Sequence, residues 1–208
     1  MKPPQTLVIA THNRHKLVEI RRILGRIPFR AVGLDAFPSY TVRETGRTLE
    51  ENALLKVRKG VRMTGHPCLS DDSGLEVKAL GGAPGVFSAR YAGPGCSYED
   101  NNRKLLRVLK DLPPSRRSAL FRCVVAYAAP DGRTRLFEGR VPGRIASEAR
   151  GAGGFGYDPV FAPRGGGGRV FAEMTLEEKN AFSHRARAFG RAARFLASRA
   201  FDKRKRGR

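Results

Sequence analysis

Two adjacent carboxylates raise the first question of chemistry. Ser70-Asp71-Asp72-Ser73-Gly74 interrupts an apolar stretch between Cys68-Leu69 and Leu75. Acids in such surroundings are costly to desolvate unless a metal or another cation compensates them. In extended backbone, neighbouring side chains point to opposite faces, so one Asp can face a binding site while the other holds the loop. Carboxylate oxygens suit Mg²⁺, which prefers a few carboxylates together with water and substrate phosphate. A turn in which Asp and Ser bond their own backbone explains the same residues equally well.

Three more polar clusters interrupt the apolar pattern. Thr11-His12-Asn13-Arg14-His15-Lys16 lies where an apolar run gives way to a predicted helix. Hydroxyl, amide and ammonium collect there at the positive end of the helix, which suits phosphate oxygens. Capping by Asn13 beside a solvated Lys16 accounts for it as well, and the glycines and Lys-Ser/Thr step of a Walker A loop are absent. Arg43-Glu44-Thr45-Gly46 precedes a helix holding Glu51, Asn52 and Lys56. Glu51 has a structural use as the acid of a capping box with Thr48, whereas Glu44 has none, so Glu44 is the better metal candidate. Asn52 and Lys56 share a helical face, as a surface pair or as substrate contacts. Finally, the loop 151–159 joins glycines to Phe155, Tyr157 and Asp158, followed by Glu173, Lys179, Ser183, His184 and Arg185. Glycine permits close backbone approach to a ligand, and a ring gives a planar base something to stack on. The plainer reading is a Gly-rich hairpin before a basic helix.

These clusters need elements to position them. Thr6 to Ala10 reads as a buried first strand, and Leu17, Ile20 and Leu24 recur at helical spacing after Asn13, a good N-cap. Thr48 starts a second helix whose face is Leu49, Ala53, Val57 and Val61. A third is expected from Ser97 to Leu112, ended by Pro113-Pro114. Leu120 to Ala129 reads as a buried strand, Pro130-Asp131-Gly132 as a turn, and Thr134 to Val141 as its antiparallel return. Phe182, Ala186, Phe189, Ala193, Leu196 and Ala200 make one face of a C-terminal helix with arginines opposite. Interleaved strands and helices with a hairpin argue for an α/β or α+β domain around a mixed sheet. Gly165–Gly168 is expected at a hairpin tip.

The composition bounds the rest. The chain has 208 residues with 40 Lys+Arg against 19 Asp+Glu, a formal net charge of +21, and 40% hydrophobic residues including 12 Phe. The charge points to polyanions, namely nucleic acid, anionic membrane or phosphorylated small molecules, and the apolar content argues against wholesale disorder. One domain over residues 1–202 is expected, with a basic, disordered tail at 203–208. Cys68, Cys96 and Cys123 form no C-x-x-C pair, which excludes a disulfide scaffold or a cysteine zinc finger and fits the cytoplasm. Leu7 to Ala10 is too short for a signal peptide or membrane span.

Taken together, the residues resemble the inosine/xanthosine triphosphate pyrophosphatase family, the Ham1-like house-cleaning nucleotidases. The resemblance rests on Ala10 to Lys16, Glu51 to Lys56, Ser70 to Val77, Gly81 to Tyr91, Gly153 to Pro159, and Ala172 through Arg185, in order along nearly the whole chain. It implies Mg²⁺-dependent hydrolysis of purine nucleoside triphosphates bearing a 6-keto base (ITP, dITP, XTP) to monophosphate and pyrophosphate. It implies Asp72 as general base and metal ligand, with Glu44 also on the metal. The loop Thr11, His12, Asn13, Arg14, His15, Lys16, with Lys56 and Ser73, would hold the triphosphate. Phe155 would stack on the base, Gly156 and Tyr157 belong to the same loop, and Asp158, Lys179, His184 and Arg185 would close the pocket. Arg185 would donate to the 6-keto oxygen. The implied fold is a mixed, strongly curved central sheet flanked by helices, in two lobes with the active-site cleft between them, and the implied assembly is a homodimer. His12 stands where the family usually has Gly. A basic nucleic-acid-binding module and a nucleotidase of other base preference are the alternatives. The first leaves Glu44, Asp71 and Asp72 unexplained, so nucleic-acid binding is not required, and no membrane partner is expected.

Overall fold

Thr6-Leu7-Val8-Ile9 is apolar and β-branched, and it forms β1 (Thr6–Ile9) with its last three residues buried. The computed structural model describes residues 4–25, 27–37 and 40–206, with side chains as far as Ser198. After β1 come α1 (Arg14–Leu24), β2 (Arg30–Gly33), α2 (Leu49–Thr64), β3 (Cys68–Val77), α3 (Tyr98–Val108), β4 (Ser118–Ala128), β5 (Thr134–Ile145), β6 (Phe161–Pro163), α4 (Leu176–Phe182) and α5 (His184–Arg206). The strands make a six-stranded sheet in the order β2-β1-β3-β4-β5-β6. It is mixed. β1 runs parallel to β2, with Thr6 opposite Arg30 and Ile9 opposite Gly33, and parallel to β3, with Val8 opposite Cys68. β5 and β6 are antiparallel, with Ile145 opposite Phe161.

The chain divides into two compact units. The first holds Met1–Asp72, Val124–Gly139 and Arg185–Arg208, and the second holds Ser73–Cys123 and Arg140–His184. In the first, Leu7, Val8, Ile9, Ile20, Ala53, Val57, Leu69, Phe189 and Leu196 are buried. In the second, Leu75, Leu105, Leu109, Phe121, Phe161 and Phe171 form one cluster. Each such Val, Leu, Ile or Phe side chain taken out of water contributes about 1.5–3 kcal/mol.

Local signals set the helix starts. Asn13 caps α1, its Oδ1 accepting from Lys16 N (3.1 Å). Thr48 caps α2, its Oγ1 accepting from Glu51 N (3.1 Å). The Glu51 carboxylate accepts from Arg47 N (2.6 Å), one residue before the reciprocal partner that the capping box predicts. Two elements end differently from the sequence expectation. α3 stops at Val108, because the chain tightens into i→i−3 bonds such as Leu112 N to Leu109 O (3.0 Å) that leave Leu109 buried. The C-terminal stripe is split by Ser183, whose extended backbone (φ −63°, ψ 160°) puts Phe182 on α4 and starts α5 at His184. α5 continues to Arg206, so the segment from Lys203 carries helical backbone that far.

Candidate active site

The adjacent acids of β3 have opposite surroundings, as strand alternation requires. Asp71 is buried, its Oδ2 3.0 Å from Lys16 Nζ on α1 and 3.6 Å from Arg185 Nε on α5. Burial alone would raise its pKa, but Lys16 and Arg185 outweigh it and hold the carboxyl well below the usual carboxylate range. Asp72 belongs to a different set. Its Oδ1 accepts from Lys56 Nζ (2.9 Å) and its Oδ2 from Asn52 Nδ2 (3.4 Å), both on α2. Lys56 Nζ also donates to Glu44 Oε1 (3.2 Å). Burial pushes the Asp72 carboxyl above its usual range; Lys56 and Lys16 oppose the shift, and the like charge of Glu44 adds to it. Burial would lower Lys56, but Asp72 and Glu44 keep its ammonium above the ordinary lysine range.

α2 carries this set on its inward side. Asn52 and Lys56 are buried, so they are not the surface pair that four-residue spacing also allows. Asn52 Oδ1 accepts from Gly46 N (2.8 Å), which ties the segment carrying Glu44 to the Asp72 set. A Cβ on Gly46 would lie 2.6 Å from that oxygen, so the close approach requires glycine.

The loop after β1 uses its polar atoms locally. Thr11 Oγ1 accepts from Asn13 N (3.2 Å), and Asn13 Oδ1 caps the helix. His12 Nε2 donates to the Tyr40 carbonyl (2.8 Å), while the Tyr40 hydroxyl donates to the Lys56 carbonyl (2.9 Å). Burial pushes the Tyr40 phenol up to about 12, so it stays a donor at neutral pH. His12 therefore buttresses the Lys56 turn. Arg14 and His15 lie exposed on the first turn of α1.

Phe155, Gly156, Tyr157, Asp158 and Lys179 sit in the second unit, in a compact arrangement around Asp158. Asp158 Oδ2 accepts from Phe155 N (2.8 Å) and from Lys179 Nζ (2.5 Å). Lys179 Nζ in turn lies 4.9 Å from the Phe155 ring centroid, a cation–π contact. Gly154 makes this possible: its φ is +72° and a Cβ there would lie 2.2 Å from Asp158 Oδ2. The residues between are pinned as well. Asn102 Nδ2 donates to the Gly156 carbonyl (2.9 Å) and the Tyr157 hydroxyl to the Ser88 carbonyl (2.9 Å). Tyr98, one turn before Asn102 on α3, sets its ring 6.1 Å from that of Phe155. Ser73 is half-buried on β3.

Two candidates are placed otherwise than their neighbours in sequence suggest. The His184 ring is buried and stacks parallel on Phe121, 4.3 Å between centroids. Arg185 falls in the first unit, its Nη1 donating to Glu19 Oε2 (2.5 Å) and its Nε facing Asp71. These two nitrogens are engaged by carboxylates of α1 and β3. Sequence reasoning missed Glu19, and it left Asn102 and Ser88 without roles and Asn52 with two. The one signal for Glu19 was an acid among the apolar positions of α1.

Whether a divalent ion suits these residues is a question of donor chemistry. Among the described residues no group of three or more His, Cys, Asp and Glu could hold a metal. Glu44 and Asp72 nevertheless converge on one cation, the Lys56 ammonium, through hard oxygens. Two carboxylates are too few for a Zn²⁺ or Ca²⁺ cage, yet they fit Mg²⁺, whose remaining positions go to water and substrate phosphate.

The Ham1 family model matches residues 7–195. A dITP/XTP pyrophosphatase of Geobacter sulfurreducens is 50% identical over 183 residues, covering 88% of this chain and 92% of the relative. A HAM1 protein structure from Coxiella burnetii superposes with a TM-score of 0.85 at 38% identity, over 93% of this chain and 99% of the other. A nucleoside-triphosphatase / dITP/XTP pyrophosphatase structure from Mycobacterium abscessus gives a TM-score of 0.70 at 44% identity, over 85% and 92%.

Proposed function

The chain belongs to the Ham1 family, and from that premise we propose how its residues divide the work of a dITP/XTP pyrophosphatase. It is a hydrolase of aberrant purine nucleoside triphosphates. The first unit carries the phosphate chemistry and the second the recognition of the base.

Glu44 and Asp72 would hold Mg²⁺, which when bound screens the phosphate charge and polarises a phosphorus–oxygen bond. Lys56 and Lys16 set the local positive charge that draws the triphosphate in, and the α1 N-terminus adds its amides. Asp72 acts as general base. It takes a proton from water as the water oxygen bonds to the α-phosphorus, while the bond from that phosphorus to the bridging oxygen breaks and pyrophosphate leaves. A carboxyl raised by burial is a better proton acceptor than an ordinary one. Asn52 fixes its orientation. In the second unit Phe155 stacks on the base, with Lys179 and Asp158 setting the ring's position. The enzyme works in the cytoplasm, which suits its three free cysteines, and as a homodimer, the assembly the sequence resemblance implies.

The observation that carries this reading is the shared contact of Glu44 and Asp72 with Lys56 beside a buried Asn52. The test is pyrophosphate release from dITP, ITP, XTP, GTP and ATP in Mg²⁺. Rapid turnover of the first three with little on ATP is expected, and equal rates on ATP and dITP would overturn the base selectivity.

A further inference from the structure

The proposed chemistry uses few cations, and the net charge of +21 is left largely unexplained. Much of it lies on two neighbouring helices of the first unit. In α1, Val18, Arg21 and Arg22 are exposed at i, i+3 and i+4, one solvent face. The single acid of α1 is Glu19, which is buried and paired with Arg185. In α5, Arg187, Arg191 and Arg194 are exposed at i, i+4 and i+7, and no acid occurs from His184 to Ser198. The Glu19–Arg185 pair sets the two helices side by side. Glu138 of β5 lies alongside α5, its backbone carbonyl accepting from Arg191 Nη1 (2.5 Å).

We propose that these arginine faces form a second binding surface, separate from the nucleotide site, that takes the phosphate backbone of duplex nucleic acid. Three observations select this partner. The cations are all Arg, whose planar fork matches phosphate oxygens two at a time. Arg187 to Arg194 spans about 10 Å at 1.5 Å per residue, the reach of about three phosphates at 3.4 Å per strand. And among the described residues the two helices expose one large apolar side chain, Val18, and no Phe, Tyr or Trp ring. A single-strand binder needs rings for base stacking, and a membrane-surface helix needs a bulky apolar face, so neither fits. Contacts of this kind read no sequence.

The test measures binding of a fluorescein-labelled 20-base-pair duplex of arbitrary sequence to the full chain across a salt series. Dissociation constants of about 10⁻⁴–10⁻⁶ M near physiological salt are expected, with affinity rising as salt falls. Replacing Arg21, Arg22, Arg187, Arg191 and Arg194 together by Gln should weaken binding at least tenfold at 0.1 M salt. The log–log salt slope should fall by about 0.9 for each phosphate that an arginine no longer neutralises. The thermal midpoint should stay unchanged; if the Arg191 tie to β5 proves necessary for folding, the variant retaining Arg191 carries the same expectation. Unchanged affinity in the substituted protein, with loss on removing residues 203–208 instead, assigns the binding to the terminus and overturns the proposal. So does absence of duplex binding at 0.05 M salt, or equal retention of the wild type and the variant on phosphatidylserine vesicles with no preference for the duplex.

Discussion

Asp71 and Asp72 are neighbours in one strand, yet one is built into the fold and the other is available for chemistry. The difference comes from what each face of β3 meets. Asp71 has two cations, Lys16 and Arg185, and is held far on the ionised side. Asp72 shares a single lysine with a second acid, Glu44, and burial raises it. An acid facing two cations is a structural counter-ion, whereas one that competes with a second acid for a single lysine keeps affinity for a proton and for a metal.

The sharpest way to break this contrast is Asp72→Asn. It should lower kcat on dITP by about 10²–10⁴-fold, the range for a lost general base, and leave the thermal midpoint equal or higher. Near-normal turnover would remove Asp72 from the chemistry. Asp71→Asn should do the converse. Breaking a buried ion pair costs about 3–5 kcal/mol, a fall of about 6–20 °C in midpoint for a domain of this size, seen by calorimetry. A stable but inactive Asp71→Asn would exchange the two roles.

Asn52→Ala tests whether Asp72 needs its orientation. A hydrogen bond to a charged group is worth about 1.5–3 kcal/mol, so kcat should fall about 10- to 150-fold with little change in KM. A change in KM alone would place Asn52 in binding. The smallest effect is in acid. The folded pKa of Asp71 is depressed, so its stabilisation is complete above the unfolded value of about 3.9 and is lost as pH falls toward the folded value. The stability gap between wild type and Asp71→Asn, followed by urea titration, should therefore narrow below about pH 4. A gap that widens in acid would contradict the pairing.

Much of this was legible from local pattern. The caps Asn13 and Thr48 and the buried strand β4 follow from signals within a few residues, because capping and periodicity are short-range. The alternation that separates Asp71 from Asp72 was equally readable. The partners were not. Glu19 and Arg185 lie 166 residues apart, and nothing at either position announces the other. Asn52 and Lys56 show the spacing of a surface pair, and only tertiary burial separates the two outcomes. His184 has the type and place of a ligand at a helix start, while its ring packs on Phe121, a contact that depends on α5 meeting β4. A single stripe through Phe182 and Ala186 ignores Ser183, whose extended backbone no periodicity encodes.

The central claim is that adjacent carboxylates of one strand sit on opposite sides of the ordinary carboxylate range. The most direct measurement is an NMR titration of the two side-chain carboxyl carbons, assigned by Asp71→Asn and Asp72→Asn. The Asp72 signal should titrate above the usual aspartate value, and the Asp71 signal should stay ionised to the lowest pH at which the fold survives. Coincident titrations, or Asp71 taking up its proton first, would contradict the division of roles.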